Sequence, residues 1–122
     1  MKKVLVVDDD IVMFRLFQLQ VKRAGCEGFF FNDGTSALEK FESIAPDLAV
    51  LDYSLPDING VELYRRIREM PNGKHIPIVF VTAAVQDEEL NAIKALNPDA
   101  LLAKPFSPRK LQKLIKEFLD LK

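Results

Sequence analysis

The sequence predicts one α/β domain, a five-stranded parallel sheet covered by helices on both faces. Three observations predict it. Short apolar runs recur five times along the chain, segments of helical period separate them, and 122 residues is the size of a single compact domain. A parallel pair of strands needs a crossover, and a helix supplies it. Strict alternation of buried strand and amphipathic helix therefore implies a parallel sheet sandwiched between helical layers.

The elements follow in order. Val4-Leu5-Val6-Val7 has no polar alternation and reads as a strand buried on both faces. Met13, Leu16, Phe17 and Val21 then form a stripe at helical spacing, and Gly25 stands where that helix stops. Phe29-Phe30-Phe31 is the second strand, closed by the turn-forming Asn32-Asp33-Gly34. Ala37, Leu38, Phe41, Ile44 and Ala45 mark the second helix, which ends before Pro46. Leu48-Ala49-Val50-Leu51 is the third strand. A loop at Pro56-Asp57-Ile58-Asn59-Gly60 leads to a helix lined by Val61, Tyr64 and Ile67. Ile78-Val79-Phe80-Val81 is the fourth strand. A weaker helix runs from Asp87, its expected N-cap, to about Leu96, with Leu90 and Ile93 inward. Asn97-Pro98-Asp99 reads as a helix-terminating turn. Ala100-Leu101-Leu102 is a short fifth strand before Lys104-Pro105. Ser107 is the expected N-cap of the last helix, with Pro108 at its first position and Leu111, Leu114, Ile115 and Phe118 inward.

Composition narrows the functional classes. Hydrophobic residues are 48% and charged residues 29%, the range of a folded globular chain. A formal net charge of −1 creates no general attraction to nucleic acid or anionic membrane. The single Cys26 excludes an internal disulfide and a cysteine zinc cluster, and suits a reducing compartment. No apolar run approaches the ~18 residues of a membrane span. Met1-Lys2-Lys3 and the four apolar residues after it are too short for a signal peptide, and three aspartates follow. A soluble cytoplasmic protein is expected.

In open parallel sheets, sites form beyond the carboxyl ends of the strands. The first strand ends in Asp8-Asp9-Asp10, the third in Asp52 and the fourth in Thr82, and Lys104 follows the fifth. Any one of these residues alone is an ordinary turn, cap or surface residue; four strand ends presenting such groups together point to chemistry. Clustered carboxylates need a proton or a cation to coexist. Without nearby His or Cys, an all-oxygen set prefers a hard cation, Mg²⁺ above others. The only histidine, His75, falls in a loop away from these ends and reads as an exposed loop residue. A dication, an ammonium and a hydroxyl suit a phosphoryl group, and a carboxylate among them can be its acceptor.

Four blocks carry a family resemblance: Val4–Asp10, Leu51-Asp52-Tyr53-Ser54-Leu55-Pro56-Asp57-Ile58-Asn59-Gly60, Val81-Thr82-Ala83 and Lys104-Pro105-Phe106. In this order and spacing, over essentially the whole chain (residues 1–122), they resemble the receiver domain of bacterial two-component response regulators. The resemblance implies a flavodoxin-like sandwich with strand order 2-1-3-4-5. It implies that Asp52 accepts the phosphoryl group from a histidine kinase or histidine phosphotransfer protein. It also implies Mg²⁺ held by Asp9 directly and Asp8 through water, with Asp52 and the backbone carbonyl of Ser54 completing the protein ligands. Thr82 would hydrogen-bond the phosphoryl oxygen and draw in the loop behind it, and Lys104 would pair with Asp52 before transfer and with the phosphoryl group after. Pro105 resembles the family's proline after a cis peptide bond, and Gly60 the glycine closing the loop after the third strand. Asp10 reads equally as a helix-start carboxylate or a metal neighbour.

The chain departs from the family pattern in places. Leu101 stands three residues before the lysine, where receivers usually carry Tyr or Phe, so the usual ring-rotation switch is less well supported than the chemistry. Ser54 and Ala84, two residues beyond Asp52 and Thr82, resemble positions that tune aspartyl-phosphate lifetime; both are small, which implies a shorter lifetime. Lys104, Arg109, Lys110, Lys113, Lys116 and Lys122 make the last helix region basic. That reads as a solvated face with cations near a helix C-terminus, or as a surface for an acidic partner or phosphodonor.

Three functions compete. The first is a stand-alone signalling receiver, not an enzyme beyond its own phosphorylation and dephosphorylation. It would act on downstream proteins through its helix 4–strand 5–helix 5 face, without direct nucleic-acid or membrane contact. The second is a Mg²⁺-dependent hydrolase of the haloacid-dehalogenase kind, which normally has Asp-x-Asp after its nucleophilic strand, where this chain has Asp52-Tyr53-Ser54. The third is a degenerate receiver scaffold or a flavin binder; the intact Asp, Thr and Lys set speaks against both. The receiver leads.

Overall fold

In a computed structural model, the structure describes residues 1–83 and 87–120. Five strands, β1 (Lys3–Val7), β2 (Glu27–Phe31), β3 (Leu48–Asp52), β4 (Ile78–Thr82) and β5 (Ala100–Ala103), form one all-parallel sheet of order β2-β1-β3-β4-β5. Five helices alternate with them: α1 (Ile11–Arg23), α2 (Gly34–Ile44), α3 (Gly60–Glu69), α4 (Asp87–Ala95) and α5 (Pro108–Phe118). Both the expected strand order and the helix count are borne out.

The continuous apolar strands serve two cores. Leu5, Val7, Ala49, Leu51, Ile78 and Phe80 face a layer with Phe41, Leu63, Ile67 and Ile93 from α2, α3 and α4. Their alternating neighbours Val4, Val6, Leu48, Val50, Val79 and Val81 face Phe17, Val21, Leu111 and Ile115 from α1 and α5. Phe17, Phe41 and Phe80 are wholly buried. Each withdraws enough apolar surface to contribute about 2–3 kcal/mol, and truncation to Ala would cost about 3–5 kcal/mol.

Helix ends follow local chemistry, with some departures from the sequence pattern. Ser107 caps α5 by accepting from the Lys110 amide, with Pro108 opening the helix, as expected. Asp33 is not only a turn residue: it caps α2 through the Ser36 amide, so Gly34 already belongs to the helix. Ala45 lies outside the helical stripe, ending α2 in a left-handed conformation at φ 50°. Asp87 falls inside the first turn of α4 rather than at its N-cap; Asp87, Glu88 and Glu89 together place negative charge at the positive end of the helix dipole. Ile93 is fully buried and Leu90 half-buried. The sequence expectation for Ala84, like the contribution of Lys122, lies outside the described residues.

The parallel order sets every strand's carboxyl end on one edge of the sheet. Val7, Leu51 and Phe31 are register partners there, and Asp52 and Thr82 are the last residues of β3 and β4.

Candidate functional site

Asp8, the first residue beyond β1, is 1% exposed, Asp52 is 5% and Thr82 3%. Burying polar groups this far requires partners. Lys104, which follows β5, provides one for both carboxylates: its Nζ is 3.0 Å from Asp8 Oδ2 and 3.2 Å from Asp52 Oδ2. The backbone places that lysine, since the Lys104 amide donates to the Thr82 carbonyl at 2.8 Å. The Lys104–Pro105 peptide is cis, as the family pattern implies, and Phe106 beyond it packs its ring on Phe17, 6.0 Å between centroids.

Asp9 is exposed, yet one carboxylate oxygen each from Asp8, Asp9 and Asp52 lie within 4.8 Å of one another. Three carboxylates against one ammonium leave the cluster two charges short of neutrality. The structure responds as electrostatics requires. Burial, then the neighbouring charge of Asp8, raises the Asp52 pKa to about 6, against the opposing pull of Lys104. Burial works against the Lys104 ammonium, but its hydrogen bonds and charge contacts with Asp8 and Asp52 outweigh this and raise its pKa.

The donor set fits a hard dication. Its charge would neutralise the excess, and its preference is for oxygen ligands at ~2.1 Å, which brackets a cluster of this span after small side-chain adjustments. Asp8 Oδ2 is buried and, apart from its ion pair with Lys104, accepts no conventional hydrogen bond among the described residues, so one oxygen in the cluster has capacity in reserve.

Asp10 resolves to a cap. Its carboxylate accepts from the Val12 and Met13 amides at 2.9 and 3.4 Å, while its own amide donates to Asp8 Oδ1 at 2.9 Å. It therefore orients Asp8 and opens α1 without joining the cluster. Ser54 is exposed on the loop between β3 and α3. Leu101 is half-buried, paired in register with Phe80 and packed on the α2–α3–α4 core. His75 is exposed in its loop, as expected.

The structure adds three features, of which only the basic character of α5 was legible in the sequence. Ile11 and Val12 are 73% and 71% exposed beside the acidic cluster, and a depression of about 240 Å³ runs along Asp9, Ile11, Phe14, Arg15, Gln18 and Asn32. An open basic depression of about 560 Å³ lies on α5, walled by Arg109, Lys113 and Lys116 with Glu117 and Asp120. Asp57, a plain loop residue by sequence, accepts four hydrogen bonds, three of them from the start of α2. Only long-range geometry reveals the three bonds to α2, whose donors lie more than twenty residues away.

Comparison with known proteins identifies the family. Residues 4–116 match the family model described as the response regulator receiver domain. The chain is 38% identical over 120 residues to the alkaline phosphatase synthesis transcriptional regulatory protein PhoP of Bacillus subtilis, covering 97% of this chain and 48% of that protein. It spans about half the length of the transcriptional regulators it matches first. Among solved structures, a CheY-like response regulator receiver domain protein from Methanospirillum hungatei superposes with a TM-score of 0.88 at 30% identity, over 98% of this chain and 94% of that one. The receiver domain of the sensor histidine kinase PA1611 from Pseudomonas aeruginosa, solved with a magnesium ion coordinated in its active site cleft, gives 0.87 at 28% identity over 98% of each chain.

Proposed function

As the chain belongs to the response regulator receiver family, we propose that Asp52 is its phosphoacceptor and that residues 1–122 form one receiver domain. The convergence of the Asp8, Asp9 and Asp52 carboxylates, two of them bridged by Lys104, is the observation that carries this reading. Membership of the family removes the ground for the hydrolase and flavin readings; against a degenerate receiver scaffold stands the acidic cluster paired with Lys104.

The chemistry assigned to each residue follows from its position. An Asp52 carboxylate oxygen attacks phosphorus, the P–N bond of a phosphohistidine donor breaks, and the imidazole leaves with that electron pair. With a pKa of about 6, Asp52 is mostly ionised at neutral pH and ready to act as nucleophile. Lys104 pairs with the carboxylate beforehand and balances phosphoryl charge afterwards. The Thr82 hydroxyl hydrogen-bonds a phosphoryl oxygen, and its inward movement draws in the loop behind it. Receiver domains bind Mg²⁺ in this pocket; here Asp9, Asp8 through water, Asp52 and the Ser54 carbonyl would hold it, and the ion neutralises charge on the phosphoryl oxygens when bound. Hydrolysis of the acyl phosphate by water completes the self-catalysed cycle.

The donor is a histidine kinase or histidine phosphotransfer protein, and the output surface is the α4–β5–α5 face, which includes Leu101 and the basic side of α5. Leucine carries no ring or hydroxyl, so any inward signal at this position is a rotamer change within the packed core that Leu101 already touches. Among the described residues no helix is long and apolar enough to cross a membrane. A cytoplasmic setting is part of the proposal, as is action through proteins rather than nucleic acid, given a net charge of −1.

Intact-mass analysis after incubation with Mg²⁺ and acetyl phosphate tests the core of this reading. One phosphoryl group should be added, only with Mg²⁺, and not to Asp52→Asn. Rapid phosphate release without an adduct would instead return the hydrolase to consideration.

A further inference from the structure

The loop between β3 and α3 follows directly on Asp52, the last residue of β3, and carries Ser54 two residues beyond it. It is held at three places. Its base is closed by the Gly60 amide donating to the Tyr53 carbonyl at 2.8 Å. Its apolar residues Tyr53, Leu55 and Ile58 pack on the α2–α3–α4 core. Its outer turn is tied to a different element altogether: the Asp57 carboxylate accepts from the Gly34 amide at 2.9 Å, the Thr35 amide at 2.7 Å, the Thr35 hydroxyl, and the Ile58 amide at 2.8 Å.

The start of α2 is built to receive it. Asp33, the helix's own cap, takes among the described residues only the Ser36 amide and hydroxyl. The two preceding amides, which a helix leaves without internal acceptors, are left to Asp57. The approach is close enough to need glycine: a Cβ on Gly34 would lie 2.6 Å from Ile58 Cγ1. Polar and steric complementarity thus coincide at one junction. The Thr35 hydroxyl, foremost, and the three amides also hold the Asp57 carboxyl far below the usual carboxylate range, so it is ionised throughout the working pH range.

We propose that Asp57 is a positioning residue for the metal site: by clamping the β3–α3 loop to the start of α2, it holds the Ser54 carbonyl where a divalent cation can use it. This rests on the receiver reading, in which Ser54 completes the Mg²⁺ ligands. Asp57 touches neither the ion nor the phosphoryl group. Its effect is entropic, keeping one ligand preorganised so that the ion does not have to order the loop.

The test is Mg²⁺ titration followed by amide NMR at a temperature well below every variant's melting point. The wild type should saturate, and Asp9→Asn should not. Asp57→Ala should weaken the Mg²⁺ dissociation constant about tenfold, the low end of losses seen when groups supporting a ligand are removed. Asp57→Asn should fall between, because its amide oxygen still accepts from one helix amide while its NH₂ faces another donor. Thr35→Val, which removes one hydroxyl and spares the backbone bonds, should give a smaller loss that Thr35→Ser reverses. Hydrogen exchange at the Ile58 and Gly60 amides should accelerate in the same order. If the Asp57 variants melt earlier but bind Mg²⁺ within about twofold of wild type, the clamp serves stability alone and the proposal is wrong. If the wild type itself shows no Mg²⁺ saturation, the receiver reading of the pocket fails, and this inference with it.

Discussion

Gly60 stands so close beneath Asp52 that a Cβ built on it would lie 2.4 Å from the Asp52 carbonyl oxygen and 2.9 Å from both Phe80 Cε1 and the Tyr53 Cα. The clash would be with backbone on one side and a fully buried ring on the other, so neither neighbour can yield cheaply. Gly60→Ala should therefore lose about 2–3 kcal/mol despite the better helix propensity of alanine. Urea denaturation would measure it, and a stability equal to wild type would show that α3 can slide away from the strand end.

The raised pKa of Asp52 makes metal-free stability depend on pH. Its folded value of about 6 lies above the ordinary 3.8, so the native state holds a proton that the unfolded chain has released. The corresponding stability is present below pH 4 and is lost as pH rises through 6, amounting to about 3 kcal/mol. Asp52→Asn removes the carboxylate and its repulsion with Asp8. Relative to wild type it should gain stability at pH 7.5 and gain little near pH 4.5. Thermal melts of both proteins with a chelator present check the difference, and a pH-independent difference would show that Asp52 titrates normally.

Removing the bridging cation should act in the opposite sense. Lys104→Met leaves Asp8 and Asp52 buried without counter-charge and should cost about 2–3 kcal/mol at pH 7.5, less than a fully enclosed pair because the pocket opens to solvent at Asp9. A dication can replace the missing charge, so Mg²⁺ should raise the melting temperature of Lys104→Met more than that of wild type. Equal shifts in the two proteins would show that Lys104 and the ion do not share the same charge deficit.

Arg68 illustrates which part of an ion pair matters. Its guanidinium donates to the carbonyls of Gly73, Lys74 and Ile76 at 3.1, 3.3 and 2.7 Å, lies 4.9 Å over the Tyr64 ring, and meets Asp99 at 3.4 Å. The Asp99 side chain is 40% exposed, so the charge pair itself should be worth under about 0.5 kcal/mol. The carbonyls, which would otherwise lose their donor, make Arg68→Ala cost about 2 kcal/mol. A double-mutant cycle with Asp99→Asn should return a coupling energy near zero; a coupling above about 1 kcal/mol would reverse the assignment.

Aspartyl-phosphate lifetime offers a last check on the receiver reading. Ser54 is exposed and small, which on the proposed reading would leave water a path to a phosphoryl group on Asp52. Ser54→Arg should slow phosphate loss several-fold as followed by intact mass, and an unchanged rate would remove access at this position as a control on lifetime.

Much of the protein was legible in order along the chain. Strands buried on both faces lose polar alternation, helices between them keep their own period, and both signals are local, so the runs at Val4, Leu48 and Ile78 and the stripe of α5 announce themselves. Given a parallel sheet, the strand ends then name Asp8, Asp9, Asp52, Thr82 and Lys104 as neighbours without coordinates. What tertiary structure alone decided are relationships between groups far apart in sequence. Asp10 had equal claims as cap and as metal neighbour until the Val12 and Met13 amides were seen to occupy it. The purpose of Gly60 depends on where Phe80 and the Asp52 carbonyl fall, and that of Asp57 on two amides at the head of another helix. Periodicity reports which way a side chain faces because burial repeats along its own element. Hydrogen bonds and close approaches are set by distances between elements, and those distances exist only once the sheet has brought its crossovers together.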